Sequence, residues 1–346
     1  MTLIYFILML GIIVFIHELG HFLWAKKFGV YCYEFSLGFG PKLFSFKRKN
    51  DETLYCVRAI PLGGYVSMAG EEVDDDEKVP KNKKLYNKKW YEKLIIVLAG
   101  VCNNFILAFV VLFLIALIYG SYTIKPIVGV FSKDSASEKQ GLKIGDEILY
   151  VNHEKVKTWD DVTLKLAIAN NEKTQVLTVK RDNDTIDIKI KPKKMVDKKG
   201  NKSYAYGFGL SEKKYYGFVN SLKYAANKFI SLFKSMFVTI KYLFTGKIGI
   251  NSLSGPVGIY SIVGQQRKAG VFGLLYLLAY LSINVGFINL IPFPAFDGYR
   301  GLITIIEAIT KKKVNSKVDA VVNNVGLFIL FAFMIFITIK DILKLF

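Results

Sequence analysis

Four stretches of the chain are apolar almost without a break: residues 3–25, 94–120, 271–293 and 321–339. Each is long enough for a helix to cross the roughly 30 Å hydrocarbon core of a bilayer. The segments between them have other periods. Over 30–68, Val, Tyr, Phe and Leu alternate with Gly, Ser and Lys, punctuated by Gly-Pro and Gly-Gly, which predicts strands and turns. Residues 70–93 are polar, acidic over 71–77 and then rich in Lys. Residues 122–212 carry charge, alternation and turn residues and predict a soluble α+β domain. Over 216–245, Phe218, Leu222, Phe229, Phe233, Phe237 and Ile240 fall near one helical face and Lys223, Lys234 and Lys241 on another. That pattern fits a helix lying in the membrane interface, with a soluble amphipathic helix as the alternative.

The pattern therefore predicts an α-helical membrane protein of four spans, with a membrane-associated β-rich segment and an inserted α+β domain. Residues 1–121 form an N-terminal half, 122–212 the insert and 213–346 a C-terminal half. The apolar start resembles the core of a signal peptide. No basic segment precedes it and no small-residue cleavage site follows, so a retained span is expected.

Composition supports this division. Hydrophobic residues make up 52% of the 346 and the mean hydropathy is +0.32. The net charge of +19 comes with no nucleic-acid-binding motif, so lipid headgroups rather than nucleic acid are the expected anionic partner. Lys26 and Lys27, the seven Lys between 78 and 93 and the four Lys at 311–317 would share one side of a four-span protein, and the excess of positive charge marks it as cytoplasmic. The insert at 122–212 then lies outside. Cys32, Cys56 and Cys102 suggest neither a disulfide framework nor a zinc ribbon.

The candidate chemistry sits at two places. His17-Glu18-Leu19-Gly20-His21 lies near the end of the first span. On a helix, positions i and i+4 share a face, so both imidazoles reach one metal ion, and Glu18 beside them can take a proton from a metal-activated water. The chain has three His, and two of them flank this Glu. A catalytic zinc site expects a third protein ligand. His153 lies in the insert and is a poor candidate. Asp297 is better, because Pro292 and Pro294 break the third span just before it, and broken backbone at membrane depth survives only when it faces protein or water. The alternative role for Asp297 is a helix cap. A membrane-anchored soluble zincin would instead recruit Glu34 or Glu52. A membrane scaffold or a metal transporter are the non-enzymatic readings; the first has no use for Glu18, and the second would spread polar residues through several spans.

These motifs, in this order, resemble the site-2 protease family of intramembrane metalloproteases, in particular its bacterial members with a PDZ insert. The likeness rests on HELGH at 17–21, GFGPKLF at 38–44, IPLGGYV at 60–66, SGPVGI at 254–259 and NLIPFPAFDG at 289–298. It implies zinc held by His17, His21 and Asp297, with Glu18 as general base. It further implies auxiliary roles for Asn104, matching an Ala-Gly-Pro-x-x-Asn motif in which Val101 replaces Pro, and for Asn289 at the substrate. Tyr299 stands where a second Gly is usual. Gly141-Leu-Lys-Ile-Gly145-Asp146-Glu-Ile-Leu-Tyr-Val151-Asn152 resembles a PDZ motif, with His153 where Gly is usual. Gly207–Leu210 is a candidate peptide-accepting loop, and the insert works either as a ligand groove or as a size filter. The resemblance implies regulated intramembrane proteolysis of single-span, pre-trimmed substrates such as anti-sigma factors or remnant signal peptides, in the bacterial cell membrane. A substrate helix must unwind to be cut, and the strands around Gly63 and Gly64 are the expected edge to hold it.

Overall fold

The structure is a computed structural model that describes residues 1–71, 77–169, 173–196, 202–211 and 213–344. Of the acidic run at 71–77, residues 72–76 lie outside the described residues. The chain divides into two compact units, one of residues 1–111 and 251–346, the other of residues 112–250.

Helix α1 (Thr2–Lys27) carries the first apolar stretch, with Lys26 and Lys27 in its last turn. Strands β1 (Cys32–Lys47) and β2 (Leu54–Met68) follow, then helix α2 (Trp90–Tyr119). Both strands bend, so they pair twice. Residues 54–57 face 34–37 on one side and 44–47 on the other, while 34–37 also face 64–67. The rows across the sheet run 44–47, 54–57, 34–37, 64–67, and among the described residues no strand pairs with the outer side of 64–67. Phe22, Ala25, Val30, Phe35, Val66 and Ile96 pack this sheet into one core with α1 and α2.

The second unit continues from α2 with β3 (Ser121–Tyr122), β4 (Val128–Phe131), α3 (Ala136–Lys139), β5 (Glu147–Val151), β6 (Glu154–Lys155), α4 (Trp159–Ile168), β7 (Gln175–Arg181), β8 (Asp184–Ile190), β9 (Lys193–Val196), β10 (Lys202–Ala205), β11 (Phe208–Leu210), β12 (Lys214–Tyr215) and α5 (Phe218–Phe244). Its four-stranded antiparallel sheet has the order β6-β5-β7-β8, and β11 pairs with β4. Val128, Leu142, Ile148, Leu177, Val179 and Ile190 fill the core. The Gly145-Asp146 step is a structural device: the buried Asp146 carboxylate accepts from the Lys143 N–H at 2.8 Å and from Arg181 Nε at 2.8 Å. Asn152 and His153 both have positive φ and form the two-residue turn between β5 and β6, the place where such hairpins favour Gly. Helix α5 belongs to this unit. Lys228 donates to Asp160 at 2.6 Å, Ser231 to Asp160 at 2.6 Å and Tyr242 to Glu154 at 2.6 Å.

The remainder of the first unit is α6 (Pro256–Gln266), α7 (Gly270–Leu290), α8 (Asp297–Thr310) and α9 (Ser316–Leu343). Pro256 sits in the first turn of α6, where it costs no hydrogen bond. The N–H groups of Gly255 and Gly258 donate to Oδ2 of Asp341 near the end of α9, at 2.7 and 2.9 Å. Four segments are long and apolar enough to cross a membrane: Thr2–Lys27, Trp90–Tyr119, Pro256–Leu290 and Ser316–Leu343. The third begins well before the expected 271, because α6 and α7 follow one another with a single 3-10 turn between them.

Candidate metal centre

His17 and His21 lie one helical turn apart on the buried side of α1. Asp297 opens α8, directly after the proline-broken loop 291–296. The N-cap position of α8 is held by Phe296, and Asp297 is the first residue inside the helix. The three side chains meet. Nε2 of His17 is 3.2 Å from Nε2 of His21, and Oδ2 of Asp297 is 3.2 Å from the first and 3.4 Å from the second. Tetrahedral zinc with bonds of about 2.0–2.1 Å separates its ligand atoms by about 3.3–3.4 Å. The three atoms are thus spaced as one face of that tetrahedron. Oδ2 of Asp297 is buried without a hydrogen-bond partner. A buried carboxylate oxygen facing two imidazole nitrogens needs a cation, and two His with one Asp is a hydrolytic zinc donor set. The residues fit the metal.

The surrounding groups fix the rings. Nδ1 of His21 lies 2.9 Å from the carbonyl oxygen of Ile96, an acceptor that requires the proton on Nδ1 and leaves Nε2 free as a ligand. The amide of Asn104 lies 3.2 Å from Nδ1 of His17, and its Oδ1 is the other buried polar atom left without a partner among the described residues. Half a turn of that amide lets Oδ1 accept from Nδ1–H of His17, which satisfies the oxygen and frees Nε2 of His17 in the same step. Ser282 donates to the backbone oxygen of Asn104 at 2.8 Å and fastens α2 to α7 here. Gly100, one turn before Asn104, shows why this stretch of α2 reads Ala-Gly: a Cβ at 100 would lie 2.3 Å from Nε2 of His21.

A cavity of about 530 Å³ opens at the three ligand atoms, and Glu18, Gly63, Gly64 and Asn289 line it with them. Each site residue expected from the sequence therefore lines this cavity or, for Asn104, bonds one of its imidazoles. Gly64 lets the sheet edge approach α1: a Cβ there would lie 3.0 Å from Val14 Cγ1 and 3.1 Å from Glu18 Cγ. Gly63 has φ +147, and a Cβ there would fall within the Phe39 ring. Glu34 and Glu52 are occupied elsewhere. Glu52 accepts from Lys26 at 2.7 Å. Glu34 accepts from Arg58 Nη2 at 2.6 Å and from the Tyr65 hydroxyl at 2.7 Å. Burial works to raise the Glu34 pKa, yet the bonds from Tyr65, Arg58 and Lys42 hold it down to about 2. Both carboxylates clamp structure, and neither belongs to the group of possible metal ligands formed by His17, His21 and Asp297.

Sequence reading missed several residues of this site. Asn323 and Asn324 line the cavity from α9, and two Asn in an apolar span were the available signal. Asn323 Oδ1 accepts from the N–H of Ala295 at 3.1 Å, and Ala295 holds φ +79 in the loop before Asp297. A non-glycine residue in that conformation persists only where its surroundings impose it. Arg300 pairs with Glu71 at the rim. Tyr299 fits without a turn that needs Gly: it lies in the first turn of α8 and donates to Asp319 at 2.9 Å.

The model of peptidase family M50 matches residues 5–333. The regulator of sigma-W protease RasP of Bacillus subtilis is 32% identical over 100% of this chain and 99% of its own length. The zinc metalloprotease RasP of Bacillus licheniformis is 31% identical over 100% of this chain and 99% of its own. The chain belongs to peptidase family M50 and is a metalloprotease.

Proposed function

We propose that this metalloprotease holds zinc on His17, His21 and Asp297 and cuts single-span membrane proteins within or beside their transmembrane segments. The observation that carries the reading is the triangle of ligand atoms, 3.2, 3.2 and 3.4 Å on its sides, with Glu18 lining the same cavity. Bound there, zinc supplies Lewis acidity toward a water and the scissile carbonyl. Glu18 takes the proton of the attacking water and returns it to the leaving nitrogen. Asn104 and the Ile96 carbonyl keep both imidazoles in the ligating tautomer. Asn289 lines the cavity and is the candidate donor to the substrate carbonyl.

The substrate needs an extended backbone at the site. The outer side of 64–67, beside Glu18 at Gly64, offers ladder groups for β-addition. The insert is read as a PDZ domain on its motif at 141–152. It works as a filter that rejects substrates with bulky outer domains and admits pre-trimmed ones, such as anti-sigma factors or remnant signal peptides. Phe208 of β11 packs its ring 5.9 Å from Trp159 at the start of α4, and the loop and strand at 207–210 are the candidate peptide-accepting edge. The Lys-rich segments at 26–27, 78–93 and 311–317 support a cytoplasmic metal centre and an insert outside, in a bacterial cell membrane. Co-expression with candidate single-span proteins tests the activity. The wild type releases cleaved products, whereas Glu18→Gln binds zinc and cuts at least about 100-fold more slowly. Cleavage by Glu18→Gln at the wild-type rate removes the assignment.

A further inference from the structure

The second unit contains a cavity of about 350 Å³ that plays no part in the metal centre. One wall is a stripe of helix α5: Asn220, Lys223, Tyr224 and Asn227, at spacings of three, one and three, stand on one helical face. Lys125 and Lys157 bring two more ammonium groups from the loops before β4 and α4. Three Lys thus converge with amides and tyrosine hydroxyls, and no Asp or Glu is among the residues lining the cavity. Elsewhere in this unit Lys side chains find carboxylates: Lys228 pairs with Asp160, and Lys165 and Lys247 with Glu154. Asp161 accepts from the backbone N–H groups of Lys157 and Thr158 at 2.9 and 3.0 Å, and none of the Lys side chains lining the cavity has a carboxylate partner among the described residues.

Its frame is fixed. Strand β3 pairs with β12 through Ser121↔Tyr215 and Tyr122↔Lys214, and the Ser121 hydroxyl donates to the Tyr215 carbonyl at 2.8 Å. Strand β3 begins two residues after the end, at Tyr119, of helix α2, which is long and apolar enough to cross a membrane. Beside the cavity, at the start of α5 and on a different face, Phe218, Val219 and Leu222 are 64%, 61% and 42% exposed. An apolar helix face next to a polar, cationic recess matches the boundary between acyl chains and headgroups.

We propose that this cavity binds the phosphate headgroup of an anionic phospholipid, with Lys125, Lys157 and Lys223 around the phosphate and the exposed start of α5 against the acyl chains. The site does not depend on the protease reading, because none of its residues belongs to the metal centre. Native mass spectrometry of the full chain in neutral detergent, with phosphatidylglycerol and phosphatidylcholine added in equal amounts, tests it. The wild type retains phosphatidylglycerol selectively. The triple variant Lys125→Gln, Lys157→Gln, Lys223→Gln weakens that binding roughly tenfold or more. The matching Lys→Arg triple keeps it, and a control triple at Lys180, Lys189 and Lys194 leaves it unchanged. The single variant Lys223→Gln, at an exposed helix position, gives a partial loss should the triple fail to fold. Three results overturn the proposal: full retention by the pocket triple and the single variant, equal loss in the control triple, or complete displacement of the lipid by millimolar inorganic phosphate. The last would mark a free-anion site.

Discussion

Gly100 carries no chemistry, yet the geometry of the candidate metal centre depends on its missing side chain. A Cβ at 100 would fall 2.3 Å from Nε2 of His21 and 2.8 Å from Cε1 of His17. Either the rings or the helices must shift to admit it. Asn104 and the Ile96 carbonyl hold the rings from behind, and off-rotamer or overpacked side chains cost about 1–3 kcal/mol. Gly100→Ala is therefore expected to weaken zinc binding at least about tenfold, read as metal retained after dialysis against a chelator, while the chain stays folded in detergent. Wild-type retention of zinc in this variant would show that the helices can spread. At this scale the sequence was partly readable. The spacing of His17 and His21 declares itself within one helix turn, and Asp297 stands beside a visible proline break. Gly100 and Ala295 were opaque, because what a missing Cβ or a left-handed backbone accommodates lies on another element.

Among the elements, the sheet edge at 64–67 and helix α5 depart most from what local pattern conveys. Alternation over 30–68 announced strands, but not that residues 34–37 of β1 would pair with two rows of β2 at once. That doubling leaves 64–67 outermost and brings Gly64 against Glu18. The Glu34–Arg58–Tyr65 clamp then pins the edge row to its neighbours. A substrate strand bound to that edge uses its free N–H and C=O groups, so breaking the row removes the template without touching the ligands. Tyr65→Pro is expected to abolish cleavage with zinc content unchanged, whereas Tyr65→Phe keeps the backbone template but loses the hydroxyl's bonds to Glu34 and Arg58, so cleavage falls only in part. Equal cleavage by Tyr65→Pro and the wild type would remove the edge from the mechanism. Helix α6 escaped notice for a related reason: Gly255, Pro256 and Gly258 read locally as breakers, and their partner, Asp341, is 83 residues or more away.

On the scale of the whole molecule, the hydropathy pattern located the four span-capable segments, since each is a contiguous run, although the third starts at Pro256 rather than 271. It did not assign α5. The polar positions Lys228, Ser231 and Tyr242 resemble any solvated helix face until Asp160 and Glu154 are found opposite them, and with those contacts the helix belongs to the unit of residues 112–250. The β3–β12 ladder pairs Tyr122 with Lys214, so the chain enters and leaves 123–213 at neighbouring positions, although removing that segment strips α5 of its partners Asp160 and Glu154. Replacing 123–213 with a short Gly-Ser linker joins two ends that already lie side by side. If the insert is the size filter, this protein cuts substrates that still carry their outer domains, and the wild type does not. Continued rejection of untrimmed substrates by a folded, zinc-loaded deletion protein would place the filter elsewhere.

The central claim is that three side chains from two distant parts of the chain hold one zinc ion, and X-ray absorption at the zinc edge reads that shell directly. The purified wild type should hold one zinc with two imidazole nitrogens and a carboxylate oxygen at about 2.0–2.2 Å. Asp297→Ala should lose that oxygen and most of the metal, while Glu34→Ala and Glu52→Ala leave the spectrum unchanged. An Asp297→Ala protein with full zinc and an unaltered shell would contradict the account.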